Sequence, residues 1–175
     1  MYQGCNKTAI CSQTNIAASF VKLLKEKEYA KISISEICDG ASVSRQTFYS
    51  LFKSKENIVS FELLRNYYFD PEKECKCCGK PSAKELSEAF TEYIIEKEEF
   101  IGLLVKNNLM YLMQDCLCES FICCEKEDGA HEEIHCLEAD LTAACLTTIA
   151  KHYVVCQDLV SKAELQIAIE KVLLK

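Results

Sequence analysis

The stretch ISISEICDGASVSRQTFYSLFKSK, residues 32–55, holds two short helical patterns that are separated by a turn. Ser33 and Glu36 have the spacing of a capping box, which predicts that the first helix begins after Ser33. The pair Asp39-Gly40 supplies turn chemistry and predicts that this helix stops close by. Ser44 is a favourable N-cap and predicts the start of the second helix. The stretch is therefore predicted to be a helix-turn-helix.

The second helix of this stretch has an apolar side and a polar side. Phe48 and Phe52 are four residues apart and are predicted to share a buried face. Arg and Gln side chains on the opposite side can each form two hydrogen bonds with a base edge in the major groove. Hydroxyls and the following lysines suit phosphates, because cations and free helix N–H groups meet there. The predicted DNA-binding residues are Ser33, Ser44, Arg45, Gln46, Thr47, Tyr49, Lys53 and Lys55. A surface hairpin with solvated polar residues fits the same periodicity.

This polar helix also carries a resemblance to a known family. The segment ASVSRQTFY at residues 41–49, followed by Phe52 and by Lys53-Ser54-Lys55, closely resembles the DNA-binding signature of the tetracycline-repressor (TetR) family of bacterial transcription regulators. The resemblance covers only the beginning of the chain. It implies a homodimeric regulator that binds a palindromic operator in double-stranded DNA and is released by a small-molecule effector.

Two residues depart from the family pattern. Ser42 stands where the family commonly has Gly, and Leu51 stands where it often has His. Ser is tolerable in a turn, whereas Leu51 removes one possible contact with the DNA backbone. The operator sequence therefore cannot be carried over from the family.

Composition favours an all-α fold. The 175 residues are 49% hydrophobic and include only two Pro and five Gly, with long stretches free of helix breakers. We predict an N-terminal helix-turn-helix head of three helices in residues 1–55. A helix over residues 55–69 connects it to a helical effector-binding and dimerisation body in residues 56–175.

The charge is distributed unevenly along the chain. The net charge of −7 argues against a polyanionic partner. However, residues 1–69 contain nine Lys or Arg and six Asp or Glu, which gives +3, and residues 70–175 contain eleven and twenty-one, which gives −10. This asymmetry is typical of a DNA-binding head on an acidic body.

Periodicity also places the elements on either side of the helix-turn-helix. Residues 1–11 have no pattern and are predicted to be a loose arm, and a support helix is predicted from Ser12 to Lys27. A further helix is predicted from Ile58 to Phe69, because Asp70-Pro71 pushes the chain out of helical geometry. Residues 71–81 then read as a polar connection.

The body is predicted to contain several packed helices. Ser82 with Glu85, and Ser161 with Glu164, are further capping boxes. Aromatic and aliphatic side chains at helical spacing could line a pocket for an apolar effector, as the resemblance implies, although such stripes more often fill a core. The candidate pocket residues are Phe90, Tyr93, Ile94, Phe100, Leu104, Tyr111 and Met113.

The last two helical patterns are rich in apolar residues. A long helix is predicted from about Glu132 to Cys156, and a final helix after Ser161. These helices could finish the core of one chain, or they could form a four-helix bundle with the same pair of a second copy. We favour the homodimer, because a palindrome requires two recognition helices. The candidate interface residues are Leu137, Leu141, Ala144, Cys145, Thr148, Leu165, Ile169 and Val172.

The chain contains thirteen cysteines, an odd number that cannot all pair within one molecule. The paired spacing of a structural zinc site is absent, so we predict no metal and no cofactor. Cys75, Cys77 and Cys78 are the alternative metal-binding or thiol-sensing residues. Cysteines at plain helix positions, such as Cys38, Cys145 and Cys156, fit a use of Cys as a small hydrophobic residue.

Other function classes are disfavoured by the motifs. The sequence contains no phosphate-binding Gly loop and no nucleophile elbow, so we predict no enzymatic activity. It has no apolar run long enough for a membrane span, and we predict a cytoplasmic protein without a membrane partner. Two alternatives to an effector-released regulator are a TetR-like adaptor that acts through a protein partner and a sensor switched by its cysteines.

Overall fold

The computed structural model describes residues 6–65, 82–124, 132–156 and 159–174, and every regular element within these ranges is a helix. The predicted all-α class is therefore confirmed. The chain divides after Arg65 into two compact units. The predictions for Asp70-Pro71, for residues 71–81 and for the cysteines among them lie outside the described residues.

Within residues 6–65 the first unit contains four α-helices and a short 3-10 turn over Tyr29–Lys31. The α-helices are α1 (Lys7–Glu26), α2 (Ile34–Ala41), α3 (Arg45–Leu51) and α4 (Lys55–Leu64). Helices α2, α3 and α4 all pack against α1. The helix-turn-helix predicted for residues 32–55 is thus present as α2 and α3.

Aromatic and aliphatic side chains fill the space around α1. Phe20 of α1, Phe48 of α3 and Phe52 after α3 are fully buried. The Phe52 ring meets Phe61 of α4 edge-on, with 5.5 Å between the ring centroids. Burying each of these rings contributes roughly 1.5–3 kcal/mol to folding. The predicted burial of Phe48 and Phe52 is therefore confirmed.

The N-terminal helix is longer than the sequence pattern predicted. Helix α1 begins at Lys7, so the prediction of a loose arm up to residue 11 is wrong for residues 7–11. The side chain of Asn6 accepts a hydrogen bond of 2.9 Å from the backbone N–H of Thr8. This N-cap starts the helix five residues before Ser12 because it satisfies a backbone donor that the helix cannot satisfy internally.

Helix α4 is shorter than predicted. It ends at Leu64, because Arg65 adopts an extended conformation with ψ of 124°. The predicted helix is therefore wrong at Arg65, where the chain leaves helical geometry without a breaker in the sequence, and residues 66–69 lie outside the described residues. The guanidinium of Arg65 instead reaches back to the buried Glu62, at 3.0 Å from Oε1.

Gly40 lies inside α2 rather than in a turn, which corrects its predicted role. A Cβ atom at this position would lie 2.3 Å from Oγ of Ser19 on α1. The Ser19 hydroxyl is itself committed, because it donates a buried hydrogen bond of 3.0 Å to the carbonyl of Ile37. Gly40 is thus required for the close approach of α1 and α2.

The second unit is a set of helices in contact with one another, with bounds α5 (Ala83–Glu96), α6 (Glu98–Lys106), α7 (Met110–Cys124), α8 (Glu132–Val155) and α9 (Lys162–Leu173). Helix α8 packs against α6, α7 and α9, and α9 also packs against α5. The predicted capping boxes at Ser82 and Ser161 are both formed. Asn108, with φ of 56°, follows the end of α6 in the left-handed conformation.

The contact between Gly40 and Ser19 generates a stability prediction. We expect Gly40→Ala to destabilise the protein by about 1 kcal/mol, because the new methyl displaces the Ser19 hydroxyl from its buried hydrogen bond. In a Ser19→Ala background the same substitution should instead stabilise by up to about 1 kcal/mol, since Ala is the better helix former.

Denaturant unfolding followed by circular dichroism of the two single variants and the double variant measures this coupling. Additive effects of the two substitutions would contradict the close approach.

Candidate nucleic-acid interface

The turn between α2 and α3 depends on a left-handed residue. Ser42 has φ of 55° and ψ of 41°. The N–H of Ser42 donates to the carbonyl of Asp39, and the N–H of Val43 donates to the carbonyl of Cys38 at 3.0 Å. This pair of bonds is a Schellman motif, in which Gly is the usual left-handed residue. Ser42 therefore adopts the left-handed conformation that Gly usually adopts at this position, at some cost in backbone strain.

Helix α3 begins at the predicted N-cap. The Ser44 hydroxyl accepts a hydrogen bond of 3.0 Å from the N–H of Thr47 and lies 2.9 Å from the Thr47 hydroxyl. Phe48 and Leu51 are buried on the side of α3 that faces the head. Leu51, which stands at the position of the family's usual His, is thus a core residue.

The opposite side of α3 is open to solvent. Arg45, Gln46 and Tyr49 are exposed, and Tyr49 keeps 55% of its surface accessible although its ring contacts Phe48 edge-on. The structure therefore brings five predicted residues onto one short helix and its cap: Ser44, Arg45, Gln46, Thr47 and Tyr49. Polar groups of this kind on an exposed helix can reach base edges and phosphates.

Ser33 lies at the start of α2 and is engaged with its own capping box. Its hydroxyl accepts from the N–H of Glu36 and donates to the Glu36 carboxylate at 2.8 Å. The same carboxylate forms an ion pair with Lys27, at the end of α1. The hydrogen bond from Lys27, followed by those from Ser33, lowers the pKa of Glu36 from 4.5 to about 2. A phosphate that approached Ser33 would therefore lie close to the negatively charged Glu36 carboxylate.

The two predicted lysines have different surroundings. Lys53 is exposed. Lys55 points its ammonium into the head, where Nζ donates to the carbonyl of Tyr29 at 3.0 Å and to that of Ile32 at 2.8 Å. An ammonium has three N–H donors, so one is left for the predicted phosphate contact of Lys55.

Three residues that surround this interface, Tyr29, Glu56 and Lys27, were not predicted from the sequence pattern. Tyr29 lies under the Lys55 ammonium and donates a hydrogen bond from its hydroxyl to Glu56, and Lys27 pairs with Glu36. Their partners are 9 to 27 residues away in sequence. No periodic pattern reports contacts over such separations.

The candidate pocket residues lie in the second unit. Phe90, Ile94, Phe100, Leu104 and Met113 are buried, and Tyr93 is partly buried against Phe90, with 5.8 Å between the ring centroids. Tyr111 instead leaves 52% of its surface exposed. Since an enclosed pocket requires inward-facing side chains, the structure argues against Tyr111 as a lining residue.

The candidate interface residues divide into two groups. Leu165 and Ile169 of α9 are buried within their own chain, where α9 packs on α5 and α8, so their assignment to a dimer surface is corrected. A fully buried side chain has no surface left for a partner. Val172 and Ala144 are partly exposed, and the remaining predicted residues of α8 are exposed: Leu137, Leu141, Cys145 and Thr148.

The cysteines of the described residues offer no prepared metal site. No group of three or more His, Cys, Asp or Glu side chains capable of holding an ion occurs there. The Cys118 thiol donates to Asp140 at 2.9 Å, and burial together with this carboxylate raises the pKa of Cys118 to about 11. Cys75, Cys77 and Cys78 lie outside the described residues.

Among the described helices, none is both long and apolar enough to cross a bilayer.

Comparison with known proteins matches the head to a family. Residues 17–60 match the family described as bacterial regulatory proteins, tetR family. The chain is 38% identical over 55 residues to the HTH-type dhaKLM operon transcriptional activator DhaS of Lactococcus lactis subsp. lactis (strain IL1403). This match covers 31% of the chain and only 29% of that relative.

Solved structures are similar over nearly the whole chain. The crystal structure of Lin0861 from Listeria innocua has a TM-score of 0.73 at 15% identity and covers 98% of this chain and 93% of that one. A TetR transcriptional regulator from Streptococcus agalactiae 2603V has a TM-score of 0.58 at 16% identity and covers 95% and 96%. At these identities the similarity concerns the fold.

The Lys27, Ser33 and Glu36 contacts generate a pH prediction. Because the pKa of Glu36 is lowered in the folded head, its ionised form stabilises the fold above about pH 4.5. That stabilisation should be lost as the pH falls from about 4.5 to about 2. We therefore expect Glu36→Gln to lower the melting temperature at neutral pH and to have little effect near pH 2.

Thermal unfolding at a series of pH values tests this expectation. Glu26→Gln removes an equal charge from an exposed position on the same unit and serves as the control. A Glu36→Gln effect that is the same at all pH values would contradict the assigned ion pair.

Proposed function

We propose that the chain is a homodimeric transcriptional regulator of the TetR family that binds palindromic DNA, because residues 17–60 of its N-terminal head match the model of that family. We place such a protein in the cytoplasm. The observation that carries the proposal is the division of α3 into a buried side with Phe48 and an open side with Arg45 and Gln46.

The chemistry of the open side supports direct reading of base pairs. The Arg45 guanidinium matches the two acceptors on the major-groove edge of guanine, and the Gln46 amide matches the donor and acceptor of adenine. Hydroxyls of Ser44, Thr47 and Tyr49 are suited to neighbouring phosphates, as is the exposed Lys53. Arg45 and Gln46 are accordingly proposed as the specificity residues, and the hydroxyls and Lys53 as the groups that fix the register.

A homodimer is supported by the surface of α8. Leu137 and Leu141 leave 60% and 58% of their surfaces exposed, four residues apart on the same side of the helix. Cys145 and Thr148 continue this side, and Ile167 of α9 is also half exposed. Covering apolar side chains is favourable at roughly 25 cal/mol per Å². We propose that two copies pair through these exposed residues and so present two α3 helices to one duplex.

Regulation is proposed to pass through a small apolar effector in the second unit. The candidate lining consists of Phe90, Tyr93, Ile94, Phe100, Leu104 and Met113. An effector can release DNA only by binding more tightly to the state with the wrong spacing of the two heads. We propose repression relieved by this effector as the mode of action. Activation is the second candidate, because the similar DhaS of Lactococcus lactis is named as an activator.

A reporter assay separates these two modes. Repression predicts that deleting the gene raises transcription from the promoter that the protein binds, whereas activation predicts that deletion lowers it.

The role of α3 is tested with Arg45→Ala. We expect its affinity for the preferred duplex to fall by one to two orders of magnitude, because a bidentate contact to a base contributes about 1–3 kcal/mol of discrimination. Fluorescence anisotropy on a duplex selected from a randomised pool measures this change. Lys106→Ala removes one positive charge from an exposed position of the second unit and should leave the affinity unchanged. Equal affinities of Arg45→Ala and wild type would refute the base-reading role.

The dimer surface is tested with Leu141→Glu. We expect this variant to be monomeric, because dimerisation would bury two unpaired carboxylates at a cost of several kcal/mol. Sedimentation velocity measures the oligomeric state. Ile10→Glu introduces the same change at another exposed aliphatic residue, on α1, and should remain dimeric. A dimeric Leu141→Glu protein would exclude the proposed surface.

A further inference from the structure

The two ends of the helix-turn-helix are joined by one side chain. Lys55, the first residue of α4, extends its ammonium to the carbonyl of Ile32, at 2.8 Å, just before the cap of α2. A second bond of 3.0 Å reaches the carbonyl of Tyr29 in the 3-10 turn. Helices α2 and α3 therefore lie within a loop of chain that Lys55 closes.

The partners of Lys55 are themselves held in place. The ammonium lies 4.2 Å from the centroid of the Tyr29 ring, a distance that suits a cation–π interaction. The far side of the connection is anchored in the core, because the Tyr29 ring also meets the buried Phe20 edge-on, with 6.2 Å between the centroids. We call the group formed by Lys55, Tyr29, Ile32 and Glu56 the Lys55 clamp.

Glu56 completes the Lys55 clamp on the side of α4. Its carboxylate accepts a hydrogen bond from the Tyr29 hydroxyl. Burial acts to raise the pKa of Glu56, but the hydrogen bonds from Tyr29 and Ser54, a backbone hydrogen bond and the charge of Lys55 together outweigh it, and the pKa is lowered. The carboxylate is therefore ionised at neutral pH and holds the tyrosine against α4. Lys55 and Glu56 thus both connect the 3-10 turn to the first turn of α4. Lys55 does so by donating to the Tyr29 carbonyl, and Glu56 by accepting from the Tyr29 hydroxyl.

We propose that Lys55 is a positioning residue for DNA recognition, which orients α3 by closing the helix-turn-helix and does not neutralise a phosphate. This inference rests on the proposed DNA-binding function. It assigns to Lys55 a role different from that of Lys53, which is two residues earlier and exposed. Positioning through Lys55 should affect binding to the preferred sequence most, because base contacts depend on the register of Arg45 and Gln46.

Salt dependence distinguishes a positioning lysine from a phosphate-binding one. Each phosphate that a protein neutralises contributes about 0.9 to the slope of log K against log salt concentration. Removing a phosphate ligand therefore lowers the slope and weakens binding to all sequences alike. Removing a positioning residue leaves the slope unchanged and lowers the ratio of preferred to scrambled affinity.

The experiment compares Lys55→Met and Lys53→Met with the wild-type chain. Each protein is titrated with the duplex that the wild type enriches from a randomised pool and with a scrambled duplex, over a series of salt concentrations. For Lys55→Met we expect on the order of tenfold weaker binding to the enriched duplex, a smaller loss on the scrambled duplex and a slope equal to that of wild type. Lys53→Met is the matched removal of one exposed charge.

Tyr29→Phe provides a second variant that keeps every charge. It removes only the hydroxyl that bonds to Glu56, so it should lower the preferred-to-scrambled ratio without changing the slope, even if Lys55→Met fails to fold. Circular dichroism establishes that each variant is folded at the temperature of the titration. Weaker binding by a folded variant is then not due to loss of structure, and the salt slope with the preferred-to-scrambled ratio decides between positioning and a phosphate contact.

Two results would overturn the inference. One is a Lys55→Met slope reduced by about 0.9 with equal losses on both duplexes, which would make Lys55 a phosphate ligand. The other is unchanged binding by both Lys55→Met and Tyr29→Phe. In either case the wild type still binds DNA, so the proposed function stands. If the wild type enriches no duplex, the proposed function itself fails and the inference fails with it.

Discussion

A helix of seven residues cannot be stable by itself, and this constraint governs the DNA-binding head. Helix α3 exists because Phe48 and Leu51 anchor one of its sides in the core and Ser44 caps its first turn. A helix of only two turns can bury one side against the core. Most of its remaining residues, with Arg45 and Gln46 among them, are exposed to solvent. The chemistry available to a ligand is thus a direct consequence of how α3 is held.

Three contacts next to α3 also help to hold it in position. Ser42 turns the chain in the left-handed conformation so that α3 can leave α2 at the required angle. The absence of a side chain at Gly40 lets α2 lie close to α1, with the Ser19 hydroxyl in the space between them. Lys55 closes the segment from the other end. These three local contacts constrain the orientation of α3 within the head, as the proposed recognition of a rigid duplex requires.

The capping boxes in the sequence were reliable signals of where a helix begins. The capping boxes at Ser33, Ser82 and Ser161 all form, because the two hydrogen bonds of each box involve residues only three positions apart. The helix end at Arg65 was missed for the opposite reason. No Gly or Pro marks it, and the Arg65 side chain contacts a buried Glu62 whose burial depends on tertiary packing.

The sequence alone predicted the all-α class, the helix-turn-helix and the two sides of α3, because the cap at Ser44 and the four-residue spacing of Phe48 and Phe52 are local signals. It could not decide how the apolar stripes of α8 and α9 are used. Leu165 and Leu141 look alike in the sequence, yet the first is buried on α5 and α8 and the second is exposed. Only the tertiary structure makes this distinction, because a hydrophobic stripe indicates that side chains favour burial but does not indicate which surface buries them. The same holds for Lys55. Its hydrogen-bond partners Ile32 and Tyr29 lie 23 and 26 residues away in the sequence, and only the tertiary structure brings them within hydrogen-bonding distance.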